Sequence, residues 1–191
     1  MYMLDEVRLK RRIEGTQAML DEVLKPYKPN CLYLKSAFVE YTDDVISSLT
    51  SDQPSMGLLT AWGQFSIPES CYIASTGHFN AVEYNICYNQ LSYYLMAECI
   101  QHRLLAPVFD WTFSEYQQRQ LPNCLIVEFS SAFRKPINAL SFQGRVSFDT
   151  LKVKSKATFI QTSCSFTDGQ GGQAEGEALL ALLHGTGAPR K

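Results

Sequence analysis

Between Glu69 and Asn80 the chain reads ESCYIASTGHFN, and here its residue types could do chemistry. The segment is dense in small and polar residues and runs straight into a long apolar stretch beginning at Phe79. A helix start supplies unpaired backbone N–H groups and the positive end of a dipole. Those donors suit a carbonyl oxygen that gains negative charge, as in thioester hydrolysis or an enolate. Gly77 lets the chain turn sharply, and Tyr72, His78 and Asn80 set polar tips around the turn. The competing reading is plain capping, in which Ser75, Thr76 or Asn80 merely satisfies the helix end. Further along, the spacing of His78, Asn85 and Asn89 places them on one side of the helix, while Asn80 and Asn89 differ by about half a turn. An amide on so apolar a helix meets either a buried backbone group or a substrate tunnel. Glu83, the only acid in the first two turns, is either a base with a pKa raised by burial or a solvated residue near the helix start.

Other chemistries lack their motifs. There is no G-x-S-x-G elbow, no G-x-x-x-x-G-K-[ST] loop, no G-x-G-x-x-G and no H-E-x-x-H. The TDGQGG stretch is glycine-rich but joins two strands, so it reads as a turn rather than a phosphate cradle. Six cysteines at 31, 71, 87, 99, 124 and 164 form no C-x-x-C pair, and His78, His102 and His184 lie far apart. They read as reduced thiols, with no metal or organic cofactor implied.

Of the 191 residues 46% are hydrophobic and 19% charged, which suits a well-filled core. Seventeen basic against nineteen acidic residues leave a net charge of −2 without a basic stripe, which argues against nucleic acid as a partner. The longest apolar run, Ala178–Leu183, is far shorter than the roughly 18 residues of a membrane span. MYMLDEVRLKRR has acids and no apolar core, unlike a signal peptide. The chain reads as soluble, cytoplasmic and a single domain over 1–191, with a helical segment at 1–26 and a frayed tail at 185–191.

The elements that must position the candidate residues follow from periodicity. Apolar residues from Leu4 to Leu24 recur at helical spacing and stop at Pro26 and Pro29. Cys31–Tyr41 and Leu58–Ile67 read as strands, separated by a polar link whose Ser47–Gly57 portion is long enough for a flexible lid, or is only a variable surface loop. Phe79–Ile100 has no Gly, Pro, Lys or Arg, and predicts a helix buried on most of its surface. A short helix at Ser114–Gln120, capped by Ser114, precedes strands at Cys124–Phe133, Phe142–Val153, Ala157–Phe166 and Gln173–Leu183. A long helix wrapped by a largely antiparallel sheet is the hot-dog arrangement, an α+β fold. One sheet cannot cover such a helix completely, so a homodimer or higher homo-oligomer is expected.

The stretches SIPESCYIASTGHFNAVEYNICYNQLSYY and SSAFRKPIN resemble the FcoT-like hot-dog family, and the resemblance extends from about Leu20 to the last strand. That family includes long-chain acyl-CoA thioesterases and enzymes that add glycine to the β-carbon of an enoyl thioester on a carrier protein. The resemblance implies the glycine addition followed by thioester hydrolysis, with plain acyl-CoA hydrolysis and a non-catalytic acyl-binding module as alternatives. It places the family's tyrosines on Tyr27 and Tyr72 and its asparagines on Asn80 and Asn89. It implies as partners glycine and an enoyl thioester on a carrier protein or CoA. The difference in direction between Asn80 and Asn89 disappears if Asn80 precedes regular helix or if one of the two comes from another subunit. A base is still needed for the glycine amine, with His78 or a tyrosine as candidate. Gly77, Phe79, Glu83 and Asn85 would line the pocket. Arg134 or Lys135 would hold the carboxylate, and strand alternation allows only one of these two to face it.

Overall fold

The computed structural model describes residues 9–51, 57–74, 76–106 and 108–185. Its first elements correct the expected helix over Leu4–Leu24. Residues 4–8 lie outside the described part, and Lys10–Glu14 is a strand, β1, followed by a shorter helix, α1, at Gln17–Leu24. Lys10–Glu14 pairs antiparallel with β2 (Leu34–Thr42), and the Arg12 guanidinium lies 3.6 Å from the Phe38 ring centroid. Helix α1 starts where the Thr16 hydroxyl accepts from the Met19 N–H at 3.2 Å, and buries Leu20, Val23 and Leu24. Periodicity over a short mixed run does not separate strand from helix; the neighbouring strand decides it.

The link after β2 is partly structured. Val45–Leu49 forms a short helix, α2, whose buried Val45 and Leu49 lie one turn apart. Residues 52–56 of the expected lid lie outside the described part. Strand β3 (Leu59–Phe65) precedes the long helix α3 (Ala81–Gln101). The next helix, α4 (Phe113–Arg119), is capped by Thr112 and not by Ser114, with Glu115 closing the box onto the Thr112 backbone. Strands β4 (Cys124–Lys135), β5 (Phe142–Val153), β6 (Ala157–Thr167) and β7 (Gln173–Leu183) fall within two residues of expectation.

All seven strands join one antiparallel sheet in the order β1-β2-β3-β5-β6-β7-β4. Helix α3 lies across it, and this is the hot-dog arrangement. The contact is made by rungs. Tyr84 meets the Cys164 thiol at 2.9 Å and Tyr88 meets the Thr162 hydroxyl at 2.8 Å. One helical turn of about 5.4 Å is thereby matched to two strand residues, about 6.7 Å. Gly176 makes room for the first rung, because a Cβ there would strike the Ser130 carbonyl and come 2.6 Å from the Tyr84 hydroxyl. Lower down, Gln90 is fully buried. Its Oε1 accepts from the Tyr33 and Leu34 N–H groups at 3.1 and 2.9 Å, and its Nε2 donates to the Cys31 carbonyl. No helix among the described residues is long and apolar enough to cross a membrane.

Candidate active site

Phe79 anchors the start of α3. Its ring is 1% exposed and packs against Phe142 and Phe166 at centroid distances of 4.7 and 5.3 Å. The residues on either side stay near the surface. Before it, Gly77 turns with φ +77° and leaves His78 exposed, and the Thr76 hydroxyl donates to the His78 carbonyl at 2.8 Å. After it, Asn80 takes extended backbone angles and caps the helix. The amide therefore sits outside the helical repeat, which removes the angular argument against its acting together with Asn89.

Capping is indeed part of what Asn80 does. Its Oδ1 accepts from the Val82 N–H at 3.0 Å and the Glu83 N–H at 3.2 Å. The Tyr72 hydroxyl, 44% exposed as a residue, adds a third bond at 2.9 Å. Three donors on one atom identify it as the amide oxygen and fix which way the group points. The helix-end donors expected to serve a substrate oxygen are thus occupied by Oδ1. The donor left over is the Asn80 Nδ2, buried and without any partner. Donors pulling on Oδ1 polarise the amide and strengthen that N–H.

Glu83 matches neither expectation in full. Its side chain is buried at 3% exposure, so it is not solvated, and its carboxylate accepts from the Asn80 backbone N–H at 3.2 Å. It completes a capping box and holds Asn80 in place.

A cavity of about 380 Å³ opens at this helix end, lined by His78, Phe79, Asn80 and Ala81 from one side and Phe133, Arg134, Lys135 and Pro136 from the other. Both cations border it, contrary to strand alternation, because the register with β7 shifts between Phe133 and Lys135. They are not equivalent. Arg134 is held by Glu175 through two bonds of 2.9 and 2.6 Å, whereas Lys135 has no carboxylate within ion-pair distance among the described residues.

The remaining expected residues form a second group. Asn89 donates to Asn85 at 2.9 Å and borders a small apolar hollow with Tyr93 and Met96. Tyr27 is largely buried near Tyr93 and Cys87, and burial pushes its phenol far above the ordinary range, so it remains a neutral hydrogen-bonding group. Asn80 and Asn89 lie nine residues apart, about 13 Å along the helix. The structure thus brings Tyr72, His78, Asn80 and Lys135 together and leaves Tyr27, Asn85 and Asn89 apart within one chain. Sequence reading missed Glu175 as the partner of Arg134. The N-x-x-E spacing of Asn80 and Glu83 was the available sign of the capping box. Among the described residues no three His, Cys, Asp or Glu side chains gather as a metal site.

Comparison with known proteins follows this geometry. A family model described as an FcoT-like thioesterase domain matches residues 22–182. A (2E)-enoyl-ACP glycyltransferase from Streptomyces coeruleorubidus is 40% identical over 173 residues, covering 88% of this chain and 97% of that protein. One of the same name from Mycobacterium bovis is 37% identical over 172 residues, covering 88% and 87%. Among solved structures, a mutant thioesterase from Pseudomonas aeruginosa covers 88% of this chain and 94% of its own at 12% identity, with a TM-score of 0.45.

Proposed function

The chain belongs to the FcoT-like thioesterase family, and from that premise we propose that it adds glycine to the β-carbon of a (2E)-enoyl thioester held on an acyl carrier protein, then hydrolyses the thioester. The observation that carries this reading is the buried, unpartnered Nδ2 of Asn80, a residue that lines a cavity also bordered by the unpaired Lys135. The names of the relatives supply the substrates.

The thioester oxygen lies against the Asn80 Nδ2. The glycine amine, freed of its extra proton by His78 or by water, attacks the β-carbon, and the alkene electrons move onto that oxygen as an enolate. The Asn80 N–H stabilises the charge as it forms. A proton then returns to the α-carbon. Lys135 holds the glycine carboxylate, since Arg134 is committed to Glu175. Water attacks the thioester carbonyl in the second stage, the same amide holds the tetrahedral oxyanion, and the carrier thiol leaves. The product is an N-carboxymethyl β-amino acid.

The second group at Tyr27 and Asn89 completes the pocket when a second copy of the chain brings it to the first, so the active form is a homodimer of soluble, cytoplasmic chains. The test follows product masses after the protein meets a short (2E)-enoyl thioester with and without glycine. The adduct forms only with glycine. Free enoic acid alone, at a rate indifferent to glycine, would make the protein a plain thioesterase.

A further inference from the structure

The sheet face turned away from α3 carries a second polar group that the reaction does not use. Cys164 and Thr162 meet the helix tyrosines, so Ser163 and Ser165 point to the opposite face. The register sets Arg145 and Glu175 beside Ser165 and Glu177 beside Ser163. A cleft of about 380 Å³ opens over Arg145, Ser163, Ser165, Glu175 and Glu177. Next to it Asp149, 6% exposed, accepts from the Ser163 hydroxyl at 3.3 Å.

Arg145 is close enough to act on the Asp149 carboxyl electrostatically, but the two are not joined as an ion pair. Among the described residues Arg145 makes no ion pair, and its Nε is buried without a partner. The guanidinium carbon stands 5.9 Å from the Trp62 ring centroid. Among the described residues Glu177 has no cation within ion-pair distance, and Glu175 is taken by Arg134. A half-buried cation with an idle donor shares a cleft floored by hydroxyls with the unpaired Glu177 carboxylate. A buried donor left without an acceptor is costly, and a carboxylate supplied by a ligand would satisfy it in the fork geometry that guanidinium favours. The opposite wall then suits an ammonium group.

We propose that this cleft binds a small free α-amino acid, its carboxylate on Arg145 and its ammonium on Glu177. Glu175 lines the cleft and also holds Arg134, which borders the reaction cavity, so the two cavities share one ion pair. Any link to turnover rests on glycine being the second substrate; the binding itself does not.

The experiment titrates the full chain, without thioester, with glycine, acetate and methylamine, following ligand signals by saturation-transfer NMR. Glycine is expected to bind at least tenfold tighter than either half-molecule. Arg145→Gln and Glu177→Gln each weaken it at least tenfold, Arg145→Lys less. Thermal melts select the Arg145 variant that folds. Glycine binding unchanged by Arg145→Gln and Glu177→Gln overturns the proposal, as does acetate binding as tightly as glycine, or binding lost in Lys135→Gln but not in Arg145→Gln. A changed oligomeric mass in Arg145→Gln with unchanged glycine binding makes the cleft a contact between copies and likewise overturns it. If glycine binds through Arg145 but no adduct ever forms, the cleft stands and the proposed reaction falls.

Discussion

Two amides on one helix have opposite fates. Gln90 sits in the core with both ends of its side chain engaged, two backbone donors on its oxygen and the Cys31 carbonyl on its nitrogen. Asn80, at the start of the same helix, has three donors on its oxygen and nothing on its nitrogen. The first amide completes the fold and the second is held open by it. Buried polar groups are nearly always paired, so an unpaired N–H on a residue lining a cavity is a candidate place for a ligand atom.

The contrast can be broken from either side. Gln90→Leu strands two N–H groups and a carbonyl in the interior, and a loss on the order of 4 kcal/mol is expected in denaturant unfolding. Preserved stability would mean that the amide is not needed there. Asn80→Asp keeps the cap oxygen but has no N–H to give. Turnover should fall by about 100- to 1,000-fold while the melting temperature barely moves, because Asp caps as well as Asn. A large drop in melting temperature with normal turnover would reduce Asn80 to a cap.

Tyr72→Phe tests the finer point. Two backbone donors still hold the Asn80 oxygen, so only the third bond and its polarisation are lost, and a rate about tenfold lower is expected from steady-state assays. A rate equal to the parent would remove Tyr72 from the site. The smallest effect concerns a carboxylate away from both amides. Burial raises the Asp149 carboxyl from 3.8 to about 6. The folded chain therefore binds a proton that the unfolded chain releases, and this group's contribution to stability declines as pH rises from about 4 to about 6, then stays level. In Asp149→Asn that decline is absent when melting curves across the range are compared with the parent.

Much of the fold was legible because its signals are long. The charge-poor stretch from Phe79 to Ile100 could only be a buried helix, and four alternating strands after Pro122 could only be a sheet. Short signals misled. Lys10–Glu14 takes its state from pairing with β2, and Val45 and Leu49 make one helical turn inside a polar link. Thr112 was readable as a cap from its T-x-x-E spacing, yet Ser114 stood closer to the expected helix. The candidate site residues Tyr72, His78 and Asn80 were legible as a cluster in sequence. That the Asn80 nitrogen is left without a partner was not, since it depends on where a loop tyrosine comes to rest. Arg145 gave no sign at all, because on an alternating strand it looks like any solvent-facing cation.

The strand order carries a consequence for how the chain is assembled. Strand β4 pairs only with β7, reaching past β5 and β6 to a partner nearly forty residues beyond its end. Loop-closure entropy makes such a distant pairing slow compared with the hairpins between them. During synthesis β4 leaves the ribosome before its partner exists, and Leu125, Val127 and Phe133 along it stay exposed even in the folded chain. Until Gln173–Leu183 arrives both edges of that strand are open to any other extended chain, and afterwards one edge stays open, because β4 ends the sheet.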